Sequence, residues 1–476
     1  MPARAVNGGH TGSGPAQWDL RAKGRILLIS CYELGHTPHG LAMPQAFLVR
    51  AGFAPACVDL SVTALDDATI ARARLVLISV PMHTALRMGA RLATRIRTCN
   101  PQARIGFFGL YAPLNQDYLR ALGADWFFAG ECEAALVDLA EKLADENLDG
   151  YRPARAIRLD KLSFARPDRA ALPALARYAR FDPGDGDAVL CGYAETTRGC
   201  RDTCRHCPVP AVYGGRFFVI DADTVLADIA AQVAQGARHI TFGDPDFLNG
   251  PGHSMAILRR VHARWPHLSF DITSQISHLK KRAALMPELV DLGCAFVISA
   301  VESLSDRVLE KLKKRHRRAD FLDVLGLARA ASLVIRPTLV TFTPWTALAD
   351  VRALIDFIVA EDLVGHIDPV QLTIRLLVPP GSLLLTDDDT RDAFGALDRQ
   401  ALTHVWRHPD PRVDALQRAL AEVVARAALD HEAPEQTMSE LRALIYEACG
   451  EPSPPGGRAL PGPRRRVPRV TEPWFC

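Results

Sequence analysis

The sequence predicts an α/β protein in two parts, a doubly wound parallel sheet followed by a partial (β/α)6 barrel, with a helical segment and a tail after them. Three observations predict it. Short apolar runs alternate with amphipathic stretches from Arg25 to about residue 147, a second alternation of strand and helix patterns fills roughly the next 200 residues, and the composition breaks at Glu451. Alternation of this kind marks parallel sheets with helical crossovers. Six repeats over ~200 residues fall short of the ~250 typical of a closed eight-fold barrel.

Residues 1–24 are glycine-rich and lack the apolar stretch of a signal peptide, so they read as a disordered leader. The first domain, 25–147, carries buried-strand runs at Arg25–Ser30, Ala56–Leu60, Leu75–Val80, Ile105–Gly109 and Trp126–Gly130. Helical patterns lie between most of them, as at Leu86–Thr98, and another follows at Ala134–Ala144. A polar, proline-containing connector follows to residue 187. The barrel is placed at 188–400, with strands at Ala194–Arg198, His239–Gly243, Ser269–Ser274, Phe296–Ala300, Arg336–Phe342 and Val370–Leu377. Helical periodicity separates these runs at Val225–Gln235, Gly252–Trp265, Lys280–Leu292, Ser305–Arg315, Ala319–Ala331 and Ala347–Glu361. Residues 401–450 read as helices packed on the barrel. The stretch 451–476 is proline-rich and basic, too poor in core formers to fold alone.

Composition narrows the class. The 476 residues are 48% hydrophobic and 23% charged, as in a core-forming globular chain. Lys and Arg total 56 against 54 Asp and Glu, a net charge of +2, which gives no support to a phosphate-tracking surface. Nucleic acid is therefore not expected as a partner, and with no run of ~18 apolar residues neither is a membrane. Eleven cysteines are too sparse for a disulfide scaffold, and the expected compartment is the cytoplasm. Cysteines 31, 57, 99, 132, 191, 294 and 449 fall mostly at strand or helix positions and read as small buried hydrophobes.

Three of the eleven carry chemistry. ETTRGCRDTCRHCPVP sets Cys200, Cys204 and Cys207 in a C-x3-C-x2-C array, just after the first barrel strand. Three thiolates on one short loop can ligate three irons of a [4Fe–4S] cluster and leave the fourth open. The competing site is zinc, which usually needs a fourth close Cys or His; His206 lies inside the array. The array and its setting resemble the radical S-adenosylmethionine (SAM) superfamily. That resemblance implies SAM bound at the open iron, reductive cleavage to a 5′-deoxyadenosyl radical, and an external electron donor of flavodoxin or ferredoxin type.

Barrel chemistry sits at the C-terminal ends of strands. After the second strand, GDPD offers Gly243 for close approach and Asp244 or Asp246 as acceptors, although Gly, Asp and Pro are also turn residues. The resemblance implies that this segment meets the SAM amino group. The third strand ends with Ser274 and Gln275. The fourth ends with Glu302, which the resemblance assigns to ribose hydroxyls and which a helix N-terminus would also favour. Arg375, inside the apolar run of the sixth, needs a partner: the SAM carboxylate or an acidic neighbour. Trp345 in TFTPWT lines the substrate pocket or packs.

A doubly wound domain ahead of such a barrel resembles the cobalamin-binding domain of one radical SAM subgroup, and Gly130-Glu131-Cys132-Glu133 resembles its Gly-Glu-x-Glu ending. The Asp-x-His-x-x-Gly motif of many cobalamin proteins is absent; SCYELGHTPHG carries His36 and His39 in another pattern. The alternative is a domain that caps the barrel or holds substrate. The ending TEPWFC resembles radical SAM proteins with a CUAEP or CCAEP tail, where U is selenocysteine, which implies that Cys476 opens such a tail and makes the chain a selenoprotein candidate. The expected function is radical modification of an unknown small-molecule or peptide substrate, with cobalamin-dependent methyl transfer as a subtype. A non-catalytic iron–sulfur or zinc redox sensor and a partner-dependent peptide- or protein-modifying maturase are the alternatives.

Overall fold

A computed structural model describes residues 19–145, 156–452 and 466–471. In the N-terminal domain, β1 (Ile26–Ser30), β2 (Ala56–Asp59), β3 (Leu75–Ser79), β4 (Arg104–Phe108) and β5 (Trp126–Gly130) lie within a residue of the predicted runs. With β6 (Ile157–Arg158) they form one parallel sheet in the order β2-β1-β3-β4-β5-β6. Every residue of β1 and β3 is buried, because helices cover both faces; that is why these strands are apolar up to a terminal serine. The order reverses between β1 and β3, which opens a crevice at their C-terminal ends. Leu20, assigned above to the leader, is fully buried in the core with Ile26 and Phe53, so this domain starts before Arg25. Residues 1–18 of the leader lie outside the described residues.

The second sheet contains β7 (Arg180–Asp182), β8 (Val189–Ala194), β11 (His239–Phe242), β12 (Ser269–Thr273), β13 (Cys294–Glu302) and β14 (Ile335–Leu339); β9 (Thr197–Gly199) and β10 (Phe217–Val219) form a separate hairpin. The strands β8, β11, β12, β13 and β14 are parallel neighbours, with β7 antiparallel beside β8. The connector is thus structural: it adds β6 to the first sheet and β7 to the second.

Three expectations are corrected. The first barrel strand is Val189–Ala194, not Ala194–Arg198. Gly192 weakens its pattern in sequence, but Gln232 of the helix Ala222–Ala234 bonds both Tyr193 N and Tyr193 O, and a Cβ at 192 would meet that amide at 2.6 Å. The sixth strand is reduced to one parallel bridge, Phe342 with Arg375, because Pro369 opens a 3-10 turn over Pro369–Thr373. Residues 401–408 are not a helix: Thr403–His404 pairs with Leu397–Asp398 as a short hairpin. The helices Pro411–Leu429 and Pro434–Ala448 follow and share the barrel's core through Val413, Leu420 and Leu441. The tail also contributes, since Arg469–Val470 pairs antiparallel with β7. Residues 453–465 and 472–476, Cys476 among them, lie outside the described residues.

Candidate functional site

The hairpin strand β9 leads directly into Cys200, and Cys207 caps the helix Pro208–Tyr213. Gly199 has φ +76°, and a Cβ there would lie 2.5 Å from Arg216 O and 2.6 Å from the Tyr213 ring, so the turn into Cys200 requires glycine. Cys200 and Cys204 are buried and Cys207 nearly so. Asp202 N and Gln275 Nε2 point at Cys200 Sγ from 3.4 and 3.8 Å. Burial pushes the Cys204 thiol up to about 11 and Cys207 up to about 12, so three thiolates persist here only against positive charge. Lys314, with a side chain 2% exposed, supplies one such charge beside Cys204 and Cys207.

The donor set fits an iron–sulfur cluster better than one zinc ion. Two thiolates on a single zinc lie at most ~4.6 Å apart. Among the described residues the group with donor atoms that close is Asp202, Asp246 and His278, and the three thiols do not form one. His206 turns away as a ligand through Nε2, which lies 3.1 Å from Glu302 Oε1.

Glu302, at the end of β13, has φ +64°, strained for a non-glycine residue. Burial works against its carboxylate, but Lys314 at 3.3 Å and His206 outweigh it and hold the pKa down to about 2. Ser274 donates to Asp246 Oδ1 at 3.0 Å, and His278 Nδ1 lies 2.7 Å from Asp246 Oδ2. Gln275 reaches Asp202 at 2.8 Å, and Arg315 pairs with the same carboxylate at 3.1 Å. The Asp202–Asp246–His278 group is therefore an ion-pair network that braces the cysteine loop, with the Asp246 hydrogen bond holding the His278 pKa up.

Asp244 sits where the second-strand reading put it, yet its oxygens accept from Thr196 N at 2.9 Å and from the Thr196 and Thr197 hydroxyls at 2.6 Å each. It ties the approach to the cysteine loop onto β11. Gly243 gives close approach to Tyr193: a Cβ there would lie 1.7 Å from the phenol oxygen. Arg375 is corrected towards its structural alternative. Its guanidinium donates to Asp414 and Trp406 O at 2.6 Å each and stacks 3.5 Å over the Trp406 ring, which joins barrel to helix Pro411–Leu429. Trp345 packs edge-on against Phe394. Of the cysteines read as buried, 31, 132, 191 and 294 are so; 57, 99 and 449 are partly exposed. Sequence reasoning missed Lys314 and Arg198; a lysine in KLKKRHRR gives no sign that it turns inward.

Between the domains lies a cavity of about 290 Å³ at the C-terminal ends of both sheets, lined by Glu33, His36, Ser79 and Gly109 from one side and Tyr193 and Gly243 from the other. Burial raises Glu33 to about 7 and lowers His36 to about 4, so both tend to neutrality. At Gly40 a Cβ would meet Glu33 and Ser79 at 2.6 and 2.7 Å, and Gly109 has φ +108° against the Val80 backbone.

The chain matches the Radical SAM superfamily over residues 194–357. It is 27% identical over 170 residues to tRNA-2-methylthio-N(6)-dimethylallyladenosine synthase of Nocardia farcinica, covering 31% of this chain and 32% of that protein. It is 25% identical over 205 residues to a putative methylthiotransferase of Methanocaldococcus jannaschii, covering 40% and 43%. The chain thus spans about a third to two fifths of the length of these relatives. In fold it is similar to the radical SAM methyltransferase TsrM from Kitasatospora setae, solved with cobalamin and a [4Fe–4S] cluster (TM-score 0.54, 18% identity, 71% of this chain and 70% of that one). It is also similar to the cobalamin-dependent radical SAM enzyme OxsB (TM-score 0.64, 13% identity, 88% and 72%). Among the described residues no helix is long and apolar enough to cross a membrane. The matched segment begins at Ala194 and holds the three-cysteine loop, so the chain carries a radical SAM domain, the domain of an enzyme superfamily whose resident groups are a [4Fe–4S] cluster and SAM.

Proposed function

We propose that the protein reductively cleaves SAM at a [4Fe–4S] cluster held by Cys200, Cys204 and Cys207, and applies the resulting radical chemistry to a substrate between its two domains. The observation that carries this reading is the set of three thiols, two buried and one half-buried, at the C-terminal ends of the barrel strands, spaced beyond the reach of one ion and with Lys314 beside Cys204 and Cys207. When bound, the cluster supplies one electron to the sulfonium of SAM, and an external donor must replace it. The chain's own part is to hold charge and exclude water. Lys314 offsets thiolate charge, Glu302 is kept ionised as an acceptor, and Gln275 and Asp202 N–H orient Cys200.

A corrinoid is the second group we assign, to the inter-domain cavity. Its support is the position of that cavity, at the β1/β3 switch point and facing β8 and β11, with glycine where the backbone comes closest. The substrate class stays open between small molecule and peptide, and because relatives act on tRNA by name, charge balance alone does not remove nucleic acid. The test is anaerobic reconstitution with iron and sulfide, then SAM and dithionite. We expect a brown protein that forms 5′-deoxyadenosine and retains about one hydroxocobalamin per chain after gel filtration. No cluster, or a cluster without 5′-deoxyadenosine, overturns the SAM reading; loss of all corrinoid overturns the second assignment alone.

A further inference from the structure

The Gly-Glu-x-Glu turn at the end of β5 has no part in the reading above, yet it touches both ends of the cysteine loop. Arg198 stands two residues before Cys200. Its Nη1 lies 2.6 Å from Glu133 Oε1 and 3.6 Å from Glu131 Oε2, and its Nε lies 3.0 Å from Glu195 Oε2. The guanidinium also sits 5.2 Å from the centre of the Phe164 ring. At the other end, Tyr213 closes the helix that starts after Cys207, and its hydroxyl donates to Glu131 Oε1 at 3.0 Å. Between the two grips, Ala129 of β5 packs in one apolar cluster with Cys200, Val212 and Tyr213.

The four polar contacts are shielded from water: the Arg198 side chain is 12% exposed, Glu195 17%, Glu133 4% and Glu131 not at all. A charge-assisted pair in such a place is stronger and geometrically stricter than on a surface. One arginine facing three carboxylates is more than the burial of one ion pair requires. The arrangement fixes the position of the segment that carries the cysteines against the N-terminal domain.

We propose that Glu131 and Glu133 are positioning residues for the iron–sulfur loop, acting through Arg198 on its entry and through Tyr213 on its exit. The N-terminal domain thereby sets the geometry of the cluster ligands as well as covering the barrel. Glu133 also lines the inter-domain cavity, so one side chain faces both the loop and whatever the cavity holds. This inference rests on the cluster reading.

The experiment uses the full chain, reconstituted anaerobically, as wild type, Glu131→Gln/Glu133→Gln, Arg198→Met, the triple variant, and Tyr213→Phe, which keeps the ring packing and removes only the hydroxyl. Readouts are cluster loss to a chelator, the electron paramagnetic resonance spectrum of the reduced cluster, and far-ultraviolet circular dichroism. Removing partners one step outside metal ligands typically costs 10–100-fold in affinity, so we expect chelation about tenfold faster in the Gln variant. We expect an altered resonance line shape, unchanged helix content, and a triple variant worse than Arg198→Met by no more than the loss that Tyr213→Phe shows, since Glu133 acts through Arg198 and Glu131 through Arg198 and Tyr213. Tyr213→Phe shifts the same signature to a smaller extent. Wild-type retention and line shape in both the Gln variant and Tyr213→Phe overturn the proposal. A wild-type chain that takes up no cluster overturns the cluster reading instead.

Discussion

Replacing Lys314 with methionine isolates the electrostatics beside the cysteine loop. Lys314 and Glu302 form a buried pair at 3.3 Å, with side chains 2% and 9% exposed. The Glu302 pKa falls from an ordinary 4.5 to about 2, which corresponds to roughly 3 kcal/mol of favourable interaction with its partners. Breaking a buried pair from one side typically costs about 3–5 kcal/mol, because the remaining charge stays in a poorly solvating place. A methionine keeps the length of the stem, so the loss is electrostatic. The sign of the pH dependence follows. A depressed carboxyl pKa gives stability that is present above pH 4.5 and lost as pH falls towards 2. In Lys314→Met the carboxylate has lost its main partner, so protonation relieves the variant sooner than the wild type. Urea unfolding of the cluster-free protein, followed by circular dichroism at pH 7 and at pH 4, measures this. We expect a deficit of about 3 kcal/mol at pH 7 that shrinks at pH 4. A deficit that is equal at both values refutes the argument.

Other outcomes follow from the same geometry. Alanine at Cys200, Cys204 or Cys207 should abolish both the iron–sulfur absorbance and 5′-deoxyadenosine formation, read by iron analysis and chromatography. Gly199→Ala forces a Cβ to 2.5 Å from Arg216 O at φ +76°, so a lowered melting temperature and incomplete reconstitution are expected. Burial raises Glu33 to about 7; its folded form therefore holds a proton that the unfolded chain gives up from about pH 4.5. Wild-type stability should fall relative to Glu33→Gln between those values and then run parallel above pH 7, in denaturation midpoints across that range. Arg375→Met should loosen the helix Pro411–Leu429, costing about 1–3 kcal/mol for its charged hydrogen bonds, and leave SAM affinity by calorimetry unchanged.

The sequence by itself determined the architecture and the three-cysteine loop to which the cluster is assigned. Buried parallel strands such as Leu75–Ser79 are apolar up to their last residue because both faces are covered, so the pattern survives without tertiary information. The three cysteines are legible because a C-x3-C-x2-C array on one loop is local in sequence. Tertiary structure decided the rest. The first barrel strand is finished by Gln232 from the helix Ala222–Ala234, and the sixth is cut short by Pro369, neither of which periodicity registers. Asp244 is one carboxylate among turn residues until Thr196 and Thr197 come to it across two strands. Lys314 sits in a charged stretch that reads as solvated surface, and Arg198 ends a run that reads as a barrel strand. Only the packing of the loop against Glu302 and against Glu131 and Glu133 shows that these two cations are buried, because a charge enters the interior only where a distant partner meets it.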